Sequence, residues 1–211
     1  MKSIERVIAL AGEQIGTVEN ADGTVKYSDE YGFPKQPWCM MFLWWLYKHT
    51  GLSDIFYDGK KVASCRYFYE WALNKGYVVK TPERGDVVIL SFRKLPDGSR
   101  ETSHCGLITN VNTLSVDTIE GNTCAVGSQD DGGHVMSQRR KKTLVYAYIR
   151  LPYPPDEDEP ETLYIVQKGD TLWGIAKKYY GKGMMYTKIM KDNNLTSTTI
   201  KPGQMFIIKE V

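Results

Sequence analysis

Long apolar runs are missing from this chain of 211 residues. No stretch approaches the roughly 18 residues needed to cross a bilayer, so membrane insertion is not expected. Cysteine is scarce, with four residues, Cys39, Cys65, Cys105 and Cys124. They form no close-spaced framework, which argues for free thiols rather than bridges. CxxC and HExxH motifs are absent, and neighbours His104 and Cys105 should point to opposite faces of a strand, so neither a metal nor a cofactor is expected. Charge of one sign is also lacking: the net charge is +2, and nothing global suggests nucleic acid. Finally, Glu5 and Arg6 stand where a secretory leader would carry its apolar core. That predicts synthesis in the cytoplasm without a signal peptide, and later release by another route.

What is present is a composition with 42% hydrophobic and 25% charged residues, ordinary for a globular chain with a real core. The length suits one medium and one small domain. Ile4, Val7, Ile8, Ala11 and Ile15 recur at helical spacing and predict a helix over residues 3–15. Residues 16–37, with Asp22-Gly23 and Tyr31-Gly32-Phe33-Pro34, read as an irregular loop. Pro37 then falls in the first turn of a predicted helix running to Thr50, before Gly51. A third helix is predicted from Val62 to Asn74. Beyond it the period shortens, and strands are expected over 86–92, 105–111, 115–120, 134–138 and 144–151. Helices followed by an antiparallel sheet define an α+β domain over residues 1–151. Residues 152–161 hold five acidic side chains and four prolines, the composition of an extended spacer. Residues 162–211 carry eight basic and three acidic side chains and read as strand, helix, helix, strand. Asp170-Thr171 can cap the first of these helices and Asn193-Asn194 can end the second.

Three residues in the larger domain have the chemistry of a cysteine hydrolase. Cys39 opens an apolar helix, where unpaired amide groups favour the thiolate. His104, in Ser103-His104-Cys105-Gly106, is a candidate base, and Glu120, in Ile119-Glu120-Gly121-Asn122, can orient its imidazole. Asn122 is a possible accessory polar group, and His134 is a reserve base. His49, near a helix C-terminus, needs only a structural role, and Cys65 and Cys124 read as small buried hydrophobes.

The blocks Trp38-Cys39-x-x-Phe42, Gly85-Asp86-Val87-Val88, Ser103-His104-Cys105-Gly106 and Ile119-Glu120-Gly121-Asn122 resemble the CHAP domain of peptidoglycan hydrolases, a papain-like group related to NlpC/P60 peptidases. The resemblance spans residues 1–151. It implies that Cys39 attacks an amide, His104 serves as base, Glu120 orients it and Asn122 assists. Cys105 departs modestly from the small residue usual beside the histidine. The backbone amide of Cys39 would contribute to an oxyanion hole, with Tyr27 or Gln36 as the candidate side-chain donor. Some CHAP domains bind calcium, but Asp22, Asp29 and Glu30 make no EF-hand pattern, and the sequence leaves calcium dependence open.

The tail run Tyr164-Ile165-Val166-Gln167-Lys168-Gly169-Asp170-Thr171-Leu172-Trp173, with Asn193-Asn194 and Lys201-Pro202-Gly203-Gln204, resembles a βααβ LysM domain. Such domains bind N-acetylglucosamine chains in a groove between two loops. Here the resemblance implies Gly169, Asp170, Thr171 and Leu172 on one side and Asn194, Leu195 and Ile200 on the other. Trp173, with Ile175 and Ala176, is read as part of the helix's core face. The two resemblances together imply a monomeric endolysin-type enzyme without cofactor, cleaving an amide bond of peptidoglycan and released to the wall by a holin-type partner. A non-catalytic wall-binding protein, or a cysteine peptidase or transpeptidase acting on wall-linked proteins, are the competing readings.

Overall fold

The computed structural model describes residues 3–125, 132–154 and 161–209. They fall in two compact units, 3–154 and 161–209. Residues 155–160, which include most of the predicted spacer, lie outside the described residues.

In the larger unit, helix α1 (Ser3–Glu13) buries Val7, Ile8 and Ala11, as its spacing predicts. The predicted loop 16–37 is corrected in part: Lys26–Tyr31 forms a short helix, α2, that buries Tyr27, Ser28 and Tyr31. Six residues carry too little periodicity to show this in advance. Gly32, at φ 87°, ends α2 in the left-handed conformation glycine adopts without strain. Helix α3 (Cys39–His49) is buried from Cys39 through Tyr47. It is apolar on every side because other elements cover it all round. Pro37 stands outside it, since Trp38 is the N-cap, and Cys39 is therefore the first helical residue. Helix α4 (Cys65–Asn74) starts at Ser64, whose hydroxyl accepts a hydrogen bond from the Tyr67 amide.

The strands are β1 (Val78–Val79), β2 (Val87–Leu90), β3 (His104–Val111), β4 (Ser115–Thr123), β5 (His134–Lys141) and β6 (Val145–Ile149). They form one antiparallel sheet in the order β1-β6-β2-β3-β4-β5. Strand β1 was not expected; two residues offer no alternation to read. Period-two alternation sends Val87, Ile89, Cys105, Leu107 and Ile119 into the main core with the helices. Val88, Leu90, Ile108, Val116 and Val145 form a second cluster on the opposite face. The Gly85-Asp86 motif is structural. A Cβ on Gly85 would strike Ile4 of α1, and Asp86 accepts hydrogen bonds from the Glu83 amide and the Arg150 guanidinium, joining β2 to the end of β6.

The smaller unit pairs β7 (Glu161–Ile165) with β8 (Met205–Lys209) and packs α5 (Leu172–Tyr180) and α6 (Tyr186–Asp192) around a core of its own. It is a βααβ unit. Thr171 caps α5, its hydroxyl accepting from the Gly174 amide at 3.0 Å. The side chain of Asn193 at the end of α6 donates to the carbonyls of Ile189 and Ile207 and accepts from the Ile207 amide, fastening helix to strand. The core placement of Trp173 is corrected: Ile175 and Ala176 are buried, but Trp173 is 50% exposed. Its ring covers Gly183, where any Cβ would collide with it.

Candidate active site

Cys39, the first residue of α3, lies where the helix's unpaired amide groups face outward and no acidic residue occupies the first turn. Trp38 before it is fully buried. Its indole donates to Glu19 at 2.6 Å, and it stacks on Tyr27 with ring centroids 5.3 Å apart. These contacts hold the start of α3 against its neighbours.

His104 begins β3, and Glu120 lies on the adjacent β4. Both are fully buried, and His104 Nε2 stands 3.1 Å from Glu120 Oε2. The other imidazole nitrogen, Nδ1, is buried without a hydrogen-bond partner, which leaves it as the nitrogen available to the Cys39 thiol. Two residues that sequence reasoning missed complete the arrangement. Thr118 donates to Glu120 Oε1 at 2.6 Å, and Arg140 of β5 spans both carboxylate oxygens at 2.8 and 2.5 Å. Thr118 was legible as the residue two before Glu120, on the same face of its strand. Arg140 was not, because its approach depends on the β4–β5 register, which sets it opposite Val116.

Glycines make room for this chain of contacts. A Cβ on Gly106 would come within 2.7 Å of Glu120 Cγ. One on Gly121 would meet Phe42 and the Trp38 ring at 2.6–2.7 Å, so α3 packs onto β4 only because that side chain is missing. Asn122 is buried at φ 57°. Its side-chain oxygen accepts from the Gly133 amide and its carbonyl from the Gly132 amide, tying the end of β4 to the residues just before β5.

The electrostatics follow from burial and contact. Burial opposes a charged Glu120, yet hydrogen bonds from Arg140 and His104 outweigh it and hold the carboxyl down at about 2. Burial likewise opposes an imidazolium at His104, but the neighbouring Cys39 and Glu120 lift it to about 9. The thiols of Cys105 and Cys65, together with His104, keep the Cys39 thiol well below its ordinary range against the effect of burial. At neutral pH the arrangement therefore favours a thiolate beside an imidazolium, itself beside a carboxylate fixed by arginine. That is the charge pattern nucleophilic acyl transfer requires.

The remaining candidates take other places. Tyr27 is fully buried with its hydroxyl on Gln14 and Thr17, while Gln36 is exposed. The His134 ring is 2.7 Å from the Gly132 carbonyl, and His49 pairs with Glu30 and packs on Trp45. Glu30 also accepts from Trp45 and Lys48, and Asp22 accepts from Thr24, so these acids are engaged with protein groups. In the smaller unit Asp170 accepts from the Tyr164 hydroxyl and the Gln167 amide, Thr171 caps α5 and Leu172 is core. Gly169 and Asn194 have positive φ, and Leu195 and Ile200 are half-buried against the core. The four cysteines are free thiols, and the Sγ atoms of Cys39, Cys65 and Cys105 all lie within 4.8 Å of one another.

An α+β unit with this buried constellation, joined in one chain to a βααβ unit, defines the class. Residues 28–122 match the CHAP domain and residues 164–209 the LysM domain, so the chain carries one of each. Curated relatives match over short segments. A probable N-acetylmuramidase of Lactococcus lactis subsp. lactis is 47% identical over 47 residues, 22% of this chain and 10% of that protein. A probable endopeptidase p60 of Listeria welshimeri is 49% identical over 47 residues, 22% of this chain and 8% of that protein. An uncharacterized protein of Deinococcus radiodurans is 48% identical over 50 residues, 23% of this chain and 20% of that protein. The chain thus spans a fifth or less of the length of these relatives. Among the described residues no helix is long and apolar enough to cross a membrane.

Proposed function

We propose that the chain is a cysteine-dependent peptidoglycan hydrolase of endolysin type, with its LysM unit holding N-acetylglucosamine chains while the CHAP unit cleaves an amide of the peptide part. The observation that carries this reading is the buried His104–Glu120–Arg140 chain beside a depressed thiol at a helix N-terminus. The Cys39 thiolate attacks the carbonyl carbon, and the helix amides at the start of α3 stabilise the oxyanion. His104 passes its proton to the leaving amine as the carbon–nitrogen bond breaks. Water, deprotonated by the now neutral imidazole, then releases the acyl group and restores the thiol pair. Glu120 holds the imidazole and stabilises its charged form; Arg140 and Thr118 keep the carboxylate ionised and aligned. Asn122 acts as a positioning residue that ties the end of β4 to the start of β5. The LysM loops Gly169–Leu172 and Asn194–Ile200 are the proposed glycan groove. Gly169 and Asn194 set its backbone, and Leu172 supports it from the core.

Tethering raises the concentration of the catalytic unit at an insoluble wall, even where one glycan groove binds weakly. Names among the relatives, N-acetylmuramidase and endopeptidase p60, support the wall as the setting. The test is mass spectrometry of muropeptides from purified walls treated with the wild type and with Cys39→Ala. New free amines made only by the wild type are expected, with wall sedimentation equal for both proteins. Equal release by Cys39→Ala would place the nucleophile elsewhere, and no release by either protein from several wall types would favour a binding protein.

A further inference from the structure

Three cysteines from distant parts of the sequence meet at one point. Cys39 opens α3, Cys65 opens α4 and Cys105 is second in β3, and Cys39 Sγ is 3.9 Å from Cys65 Sγ. All three are buried. Hydrolysis uses one thiol and leaves two unexplained.

Distance separates two uses for them. A disulfide needs its sulfurs about 2.05 Å apart, so Cys39 and Cys65 would have to close by nearly half their separation inside a packed core. A tetrahedral metal with metal–sulfur bonds of about 2.3 Å holds its sulfurs roughly 3.8 Å apart, close to the separation found. Two of the thiols lie in the first turns of helices. Soft thiolates select Zn2+ and its heavier analogues over Ca2+ or Mg2+.

We propose that Cys39, Cys65 and Cys105 form a thiolate site for one soft divalent cation, Zn2+ or Cd2+, and that its occupation switches the nucleophile off. Binding replaces the remaining thiol protons with metal–sulfur bonds and sends those protons to solvent; no oxidant takes part. Bound in this way, the Cys39 lone pair is unavailable for attack until a chelator removes the ion. The inhibition rests on the hydrolytic reading above, whereas the binding does not.

The test uses the reduced full chain. Competition between the protein and a chromophoric chelator should show one Zn2+ bound per chain, and Cd2+ should give thiolate-to-metal charge-transfer absorption of three sulfurs. Cys65→Ala and Cys105→Ala, each checked for native circular dichroism, should weaken binding on the order of 100-fold. Cys124→Ala, outside the cluster, should leave it unchanged. In a wall-clearing assay one equivalent of Zn2+ should stop the wild type, and EDTA should restore it. Absent Zn2+ binding, a cadmium spectrum of fewer than three thiolates, or undiminished affinity in a folded Cys65→Ala would overturn the site. A non-reduced mass two hydrogens lighter, with metal binding lost, would replace it with a Cys39–Cys65 bridge. Failure of wall clearing with the metal signal intact would count against the hydrolytic reading alone.

Discussion

At the residue scale, Glu120 shows how much a buried charge depends on its partners. Exposed pairs in this chain, such as Arg66 with Glu70, contribute little, because water screens both charges. Arg140 faces a carboxylate with no solvent access, and its removal strands that charge. Arg140→Ala should cost about 3–5 kcal/mol in urea unfolding, and it should depress hydrolysis because Glu120 then gains its charge less readily. A loss under 1 kcal/mol would mean that water reaches the site. The same contacts set a pH profile. His104 is raised from an ordinary 6.5 to about 9, so its contribution to stability is complete below the unfolded value and is lost as pH rises through about 9. Hydrolysis should fall over the same rise, as the thiolate–imidazolium pair loses its proton. Glu120, lowered from 4.5 to about 2, stabilises the fold above its unfolded value and ceases to do so as pH falls through about 2. An activity limb near 6.5 instead of 9 would show that His104 is not coupled to Cys39 and Glu120.

At the element scale, close approach of α3 to the paired strands β3 and β4 is what brings the thiol toward the imidazole. Gly121 permits that approach, and Gly121→Ala forces a methyl against Phe42 and Trp38. Overpacking of this kind costs about 1–3 kcal/mol, and a shifted α3 should lower activity further than stability. Gly12 of α1 provides the contrast, since nothing lies within 4 Å of its added Cβ. Gly12→Ala should stabilise by roughly 0.5–1 kcal/mol through helix propensity alone. Thermal melts of the two variants should therefore move in opposite directions, and a common direction would refute the packing account.

At the scale of the whole molecule, the two units have separate cores, one built on α3 and the sheet, the other on Leu172, Ile175, Ile189, Phe206 and Ile208. Separate cores predict separate unfolding. Calorimetry should resolve two transitions, with the smaller belonging to residues 161–209, because a unit of that size buries a smaller fraction of its surface. Wall chains should raise the smaller transition alone if that unit holds the glycan. A single cooperative transition would mean that the units share stabilising contacts.

Local pattern carried much of this architecture. Apolar spacing marked α1, the buried run from Cys39 marked α3, alternation marked the longer strands, and Thr171 announced the start of α5. The types and order of Cys39, His104 and Glu120 were visible for the same reason: a helix start and two strands are local features. Helix α2 and strand β1 escaped because six and two residues hold too little periodicity. Trp173 was misread because its neighbours Ile175 and Ala176 are core, while its own exposure depends on how the turn at Gly183 passes beneath the ring. Arg140 and the meeting of Cys39, Cys65 and Cys105 depend on strand register and helix packing between distant segments. The chain by itself determined which chemical groups are present and which local elements carry them. Tertiary structure decided which of those groups touch, because contact across 20 to 66 residues is set by how faces pack and not by spacing along the chain.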